Sequence, residues 1–172
     1  MFKITGVIIL MMGSIGLGYS VNEAMQKEIM ELKDFVYIFE ILQSCITYRK
    51  EMLPEACCFV GTKSQGNIGR IIGEIGEKSE KHREKSFAEY WIEELQYYFK
   101  KSRMKKNDQE YILSFPEYAG FSDETMQLNV MDNYIIQLKR RKEEQEQIFR
   151  NRKKVVMSIC SALGGALVIL LL

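Results

Sequence analysis

The chain has 172 residues, a formal net charge of +1 and a sequence pI of about 7.6. That length holds one domain once any membrane segments are set aside, and the balanced charge excludes the strongly basic surface of a nucleic-acid-binding domain. Cys45, Cys57, Cys58 and Cys160 show no Cys-x-x-Cys or Cys/His ligand spacing, which excludes a zinc ribbon and predicts reduced thiols that pack as small hydrophobes.

No charge occurs from Ile4 to Asn22, nor from Val155 to Leu172. Each run is long enough to cross a ~30 Å hydrocarbon core as a helix rising ~1.5 Å per residue. Both predict transmembrane spans, over residues 1–22 and 155–172. The first reads as an uncleaved anchor, because bulky Tyr19 follows Gly16-Leu17-Gly18 where a signal peptidase needs small residues. Lys27 and Lys33 follow the first run. Lys139 to Lys142, with Arg140 and Arg141 between, and then Arg150, Arg152, Lys153 and Lys154, precede the second. Positive residues stay in the cytoplasm, so residues 23–154 are predicted cytosolic and both termini external. Small residues four apart (Ser14 with Gly18, Ser161 with Gly165, Ala162 with Ala166) permit close helix packing, first of all between the two spans, with a homo-oligomer as the alternative.

The cytosolic middle predicts helix after helix. Met25, Ile29, Leu32, Val36, Phe39 and Ile46 recur in steps of three and four, and no Gly or Pro intervenes from Tyr19 to Leu53, so one long helix is expected to end just before Pro54. Pro54 suits the first turn of a short helix with Glu55 at its positive end, broken by Gly61 and Ser64-Gln65-Gly66. Asn67 opens the next helix, with Ile68, Ile71, Ile72 and Ile75 on one face. Gly73 and Gly76 lower its intrinsic stability by roughly 1 kcal/mol each, so it is expected to rely on close packing. Ser86-Phe87-Ala88-Glu89 reads as a capping box ahead of Phe87, Trp91, Leu95 and Tyr98. Asn107 and Glu110 suggest a further start, before Tyr111, Ile112 and Phe115, with Pro116 kinking or ending that helix. Gly120-Phe121-Ser122-Asp123 is a turn. From there Leu128, Met131, Ile135, Leu138 and Phe149 keep a heptad-like stripe in a final helix of about 40 residues or more, running straight into the second span. The predicted fold is all-α: two long antiparallel helices continuing into the spans, with several short helices packed between and no sheet.

Catalytic constellations are absent. His82 lies between Lys81 and Arg83 as a solvated side chain. Gly66-Asn67-Ile68-Gly69-Arg70 lacks the lysine and spacing of a phosphate loop. Glu93-Glu94 and Glu143-Glu144 are sequence neighbours that diverge on a helix. No metal, cofactor or proton path is indicated.

The layout resembles the stage III sporulation protein AB family of endospore-forming bacteria over nearly its whole length. The resemblance rests on the glycine-containing first span, on Tyr48 followed by Leu53-Pro54-Glu55-Ala56-Cys57, and on Ser86 through Trp91. It continues through Asp108 and Glu110 ahead of Phe115, Gly120 through Asp123 with Gln127 four later, the charged helix and a Gly-rich terminal span. The chain departs from the family pattern at Ser44-Cys45-Ile46, Arg49 and Phe115-Pro116. The resemblance implies a fold similar to the cytosolic domains of type II secretion F proteins. It also implies residence in the mother-cell membrane around the forespore, and other stage III sporulation membrane proteins and a hexameric secretion-type ATPase as partners. The role it implies is that of a non-enzymatic scaffold in a channel between the two cells. Leu53, Pro54, Glu55, Asp108, Gly120, Asp123 and Gln127 are the expected docking residues, because they carry the most family-like turns. A membrane-anchored signalling or sensor module is the alternative, weakened by predicted external tails too short to sense anything.

Overall fold

The computed structural model describes residue 23 and residues 25–171, apart from 82–83 and 120–123; for 118–119, 124–125, 127, 156–157 and 160–171 it describes the backbone alone. Helix α1 covers residues 25–44 and widens into a terminal π turn, Cys45–Arg49. There follow α2 (Leu53–Lys63), α3 (Asn67–Lys81), α4 (Phe87–Phe99), α5 (Lys106–Leu113), α6 (Phe115–Ala119) and α7 (Glu124–Leu171). No strand occurs among the described residues, in keeping with an all-α pattern.

Helices α1 and α7 run antiparallel. Met25 meets Arg152, Glu40 pairs with Lys139 at 2.6 Å, and Gln43 donates to Asp132, so the partner's number falls as the α1 number rises. Most of the predicted stripe is buried: Leu32, Val36, Phe39 and Ile46 on α1, and Met131, Ile135 and Leu138 on α7, while Met25, Ile29, Leu128 and Phe149 are half-buried. Phe35, Ile38 and Leu42 widen it on α1. At the centre Phe39 meets Phe115 at 4.7 Å, Tyr134 at 4.9 Å and Trp91 at 6.1 Å between ring centroids. One side chain thus joins α1 to α4, α6 and α7. The Trp91 indole N–H donates to the Ile112 carbonyl at 2.9 Å, tying α4 to the end of α5 and satisfying the polar handle of a fully buried ring.

Helices α2 and α3 form an antiparallel hairpin around Ser64-Gln65-Gly66. A methyl group added at Gly73 would lie 2.7 Å from the Gly61 Cα, and one at Gly76 would lie 2.5 Å from the Pro54 carbonyl. The two backbones therefore touch, and the closeness compensates for glycine's poor helix propensity. Gly61 is accordingly part of this seam and does not break α2, which continues to Lys63.

Other local expectations meet mixed fates. The Ser86–Glu89 capping box is present in both directions, Ser86 N–H to Glu89 Oε2 at 2.7 Å and Glu89 N–H to Ser86 Oγ at 3.3 Å. α1 does not reach Leu53. It ends four residues earlier, where Lys50 turns left-handed at φ 55° and its N–H returns to the Cys45 carbonyl. Asn107 is not a cap either: α5 opens one residue before it, at Lys106, after an extended Lys105. Pro116 does separate α5 from α6, entering α6 at its second position, where no intrahelical N–H is required. α7 reaches 48 residues, the long final helix expected.

Among the described residues no helix is long and apolar enough to cross a membrane. The predicted span over residues 1–22 lies outside the described residues. The run from Val155 is helical in its backbone as far as Leu171, while its side chains from Cys160 onward lie outside the description. His82 lies outside it as well.

The glycine seam makes a stability forecast. Gly73→Ala gains helix propensity but forces the two backbones apart, for a net loss of about 1–3 kcal/mol of the kind overpacking causes. Gly66→Ala, where an added methyl meets nothing within 4 Å, leaves stability unchanged within about 0.5 kcal/mol. Urea unfolding followed by the fluorescence of the single tryptophan, Trp91, measures both.

Candidate functional site

Two regions combine unusual exposure or unusual burial with chemistry. The first is the tip, where α1 turns into α2 and α7 begins. Tyr48 is 83 % exposed and Met52 is 73 % exposed, the two most exposed large apolar side chains described. The turn beneath them is fixed by several contacts. Arg49 pairs with Glu51 at 2.6 Å and lies 4.1 Å over the Phe59 ring. The Met52 N–H donates to the Glu55 carboxylate at 3.1 Å. Glu55 thereby satisfies one of the free donors at the start of α2, half of a capping box. Leu53 is half-buried against the core, and the Pro54 carbonyl sits against Gly76. A shallow groove lined by Ser44, Thr47, Tyr48, Leu128 and Asp132 joins this turn to the first turns of α7.

The second region is a polar knot near the opposite end. The Asp108 carboxylate, in the first turn of α5, is buried and pairs with Arg141 Nη1 at 2.7 Å. The Arg141 guanidinium also lies 4.3 Å over the Tyr111 ring, which stacks on Tyr134 at 4.4 Å. Lys105 donates to Gln145 and stands 3.7 Å from Glu28, whose carboxylate is buried on the inner face of α1. Burial pushes the Glu28 carboxyl above the ordinary carboxylate range, with Lys105 opposing and Asp108 adding to the rise.

Thiol chemistry is not favoured in either region. Burial pushes the fully enclosed Cys57 thiol far up, and Cys45 and Cys58 are raised for the same first reason. All three are free thiols held protonated, as packing residues are. No group of three or more His, Cys, Asp and Glu side chains among the described residues is arranged to hold a metal ion.

The family model for stage III sporulation protein AB matches residues 3–172. The chain belongs to the stage III sporulation protein AB family. A solved structure named stage III sporulation protein AB (SpoIIIAB) superposes with a TM-score of 0.63 at 16 % identity, covering 72 % of this chain and 97 % of that one. At that identity the likeness concerns the fold. No curated protein matches the chain.

In this family member the expected docking residues fall in two places. Leu53, Pro54 and Glu55 lie at the tip, next to the start of α7. Gln127 stands there on the α7 backbone, with its side chain outside the description. Gly120 and Asp123 lie outside the described residues. Asp108 belongs to the polar knot, its carboxylate engaged by Arg141 and turned away from solvent. The sequence reading missed Glu28, Lys105, Arg141 and Gln145 as a set. Two signals for them exist. Glu28 falls on the α1 stripe between Met25 and Leu32. Gln145 falls one heptad after Leu138, which itself falls one heptad after Met131.

The raised Glu28 carboxyl fixes the sign of a pH effect. The folded state holds this proton more tightly than the unfolded chain, so stability falls as pH rises from the unfolded value through the folded one, and the cost is complete above both. Glu28→Gln therefore raises the melting temperature at pH 7.5 by a few degrees and leaves it unchanged at pH 3, below both values, in detergent-solubilised protein. Asp108→Ala leaves Arg141 partly buried without its partner and lowers stability by about 1–3 kcal/mol at neutral pH.

Proposed function

We propose that this chain is a membrane platform of the sporulation apparatus, anchored by its two apolar ends, with the tip as the docking surface for a cytosolic partner. The observation that carries the reading is the unbroken course of α7. A single helix holds the core stripe from Met131 to Leu138 and then the charge-free run that begins at Val155. An apolar run continuous with a packed helix suits an anchor, and the cations just before it suit a cytosolic approach to a bilayer. The two long helices then stand on the membrane as a pair, and the tip is held away from it.

Docking at the tip is supported by two large exposed apolar side chains, Tyr48 and Met52, over a turn held by several contacts. A flexible loop would lose more entropy on binding than this one, pinned by Glu55, Arg49 and the left-handed Lys50. Tyr48 and Met52 supply contact area. Leu53 and Pro54 hold the backbone, and Gly120 and Asp123, which precede α7 in sequence, complete the proposed docking set with Gln127. Family membership makes a sporulation complex the setting. A hexameric secretion-type ATPase is the partner we propose for this surface, with the other stage III membrane proteins as lateral neighbours in the mother-cell membrane around the forespore. The role is scaffolding, with no reaction of its own.

Tyr48→Ser combined with Met52→Ser tests the docking surface. Both side chains are exposed, so the melting temperature stays within about 1 °C of the parent, as expected for surface changes. Recovery of the ATPase with tagged protein from sporulating cells falls at least ten-fold. Undiminished recovery at equal protein level would remove the tip from the docking assignment. Topology is tested separately. A cysteine introduced at exposed Gln147 is expected to resist an impermeant thiol reagent in intact cells and to react after lysis. Labelling before lysis would invert the orientation.

A further inference from the structure

The α4–α5 connection reads Lys100-Lys101-Ser102-Arg103-Met104-Lys105-Lys106: five cations and no acid in seven residues. It is distant in sequence from the basic turn Arg150, Arg152, Lys153 and Lys154, yet the fold brings the two to one end of the bundle. Ser102 donates to Glu31, and Lys105 reaches Glu28 and Gln145, so the loop lies along the early turns of α1 and beside α7. Lys27, paired with Glu23 at 2.7 Å, holds the Glu23 carboxyl below its ordinary value at the start of α1. Met25, two residues on, meets Arg152. Ser102 at Glu31 and Lys105 at Glu28 therefore lie within two helical turns of the Met25–Arg152 contact, on the approach to the charge-free run from Val155.

The acids of this end engage only part of the cations. Glu23 pairs with Lys27 at 2.7 Å, Glu28 stands 3.7 Å from Lys105, Glu146 stands 3.9 Å from Arg150, and Glu31 accepts from Ser102. Lys100, Lys101, Arg103, Lys106, Arg152, Lys153 and Lys154 are all exposed, and among the described residues none of them sits in an ion pair. Seven outward cations collect in a chain whose whole net charge is +1.

We propose that the Lys100–Lys106 loop and the Arg150–Lys154 turn form one basic collar that binds the anionic phospholipid headgroups around the anchor. The proposal rests on the membrane reading of the apolar ends and adds a lipid class to it. Position favours lipid over an acidic protein. Lys105 lies level with Gln145, ten residues before Val155, and a helix rises ~1.5 Å per residue, so this cation is about 15 Å from the apolar run. Arg152, Lys153 and Lys154 lie within one turn of it, inside a surface potential that decays over about 8–10 Å. The long stems of Lys and Arg let their charged heads extend toward that surface. Each such cation contributes about a five-fold gain in association with an anionic leaflet.

The test uses the full chain reconstituted in vesicles of phosphatidylcholine alone or with added phosphatidylglycerol. Amide hydrogen exchange over residues 100–106 is expected to slow several-fold only with phosphatidylglycerol. The protection disappears at high salt and in the variant K100Q/K101Q/R103Q/K106Q, while exchange around Trp91 is unaffected. Equal exchange in the two bilayers overturns the proposal and leaves the loop to an acidic protein partner. Equal protection by inorganic phosphate at matched ionic strength overturns it in favour of a free-anion site. An alkaline carbonate wash tests the anchoring reading by itself. If the chain is stripped from both bilayers, the anchors fail. In that case salt-reversible binding to phosphatidylglycerol vesicles alone still supports the collar, and its absence overturns it.

Discussion

The ring of Phe39 is the constraint on which the rest of the molecule depends. It contributes no polar group, yet α4, α6 and α7 each present an aromatic side chain to this α1 ring, and all four rings are buried. Short helices such as the five-residue α6 have no independent stability. α6 exists because Phe115 is inserted between Phe39, Trp91 and Tyr134, with Pro116 supplying a preset φ for its first turn. The Trp91–Ile112 hydrogen bond then fixes where α5 must stop. In this way one cluster converts three short, marginal helices into a cap on two long ones.

A second constraint sets how the long helices slide against each other. Apolar stripes alone permit a shift of one heptad, since Leu138 would then take the place of Met131. The polar residues on the same stripe do not permit it. Moving α7 by seven residues would take Gln145 from Lys105 and Arg141 from Asp108, leaving a buried carboxylate without its cation. An uncompensated buried charge is far more costly than the small differences among apolar registers. Glu28, buried and only loosely paired, is the destabilising element of that arrangement. Its expected response to pH separates a residue held for register from one held for stability.

The parts of the fold that sequence made legible were those governed by local rules. The stripes of α1 and α7, the Ser86–Glu89 box and the Pro54 and Pro116 positions follow from periodicity and from backbone chemistry within a few residues. The close contact at Gly73 was also foreseen, because two glycines in one helix need a reason. The misplaced boundaries share a different cause. α1 ends at a left-handed Lys50, a conformation that lysine seldom takes, and tertiary contacts of Arg49 with Phe59 and Glu51 hold it there. Gly61 looked like a breaker because its partner, Gly73, is on another helix. The candidate docking residues were grouped by likeness to a family, and the fold divides them: Leu53 to Glu55 face the tip, whereas Asp108 faces inward. Partner distances across helices, which no single-sequence pattern encodes, decide that division.

The two ends of the helical pair carry opposite chemistry, and this polarity bears on how a platform would work. At the tip Tyr48 and Met52 stand exposed beside Arg49, Lys50 and Glu55, apolar area with a polar rim as in a protein contact. At the other end cations stand exposed, suited to a charged surface that stays hydrated. Along the α1–α7 seam, contacts run from Met25 against Arg152 through Glu40 against Lys139 to Gln43 against Asp132, and Phe39 with Tyr134 joins the same two helices in the aromatic cluster. Among the described residues near the tip, the backbone departs from regular α-helix at the π turn Cys45–Arg49 with Lys50 behind it. The Arg49–Glu51 ion pair and the Arg49–Phe59 contact pin that segment, so a partner would meet the tip largely preformed. The aromatic core below it would keep its packing.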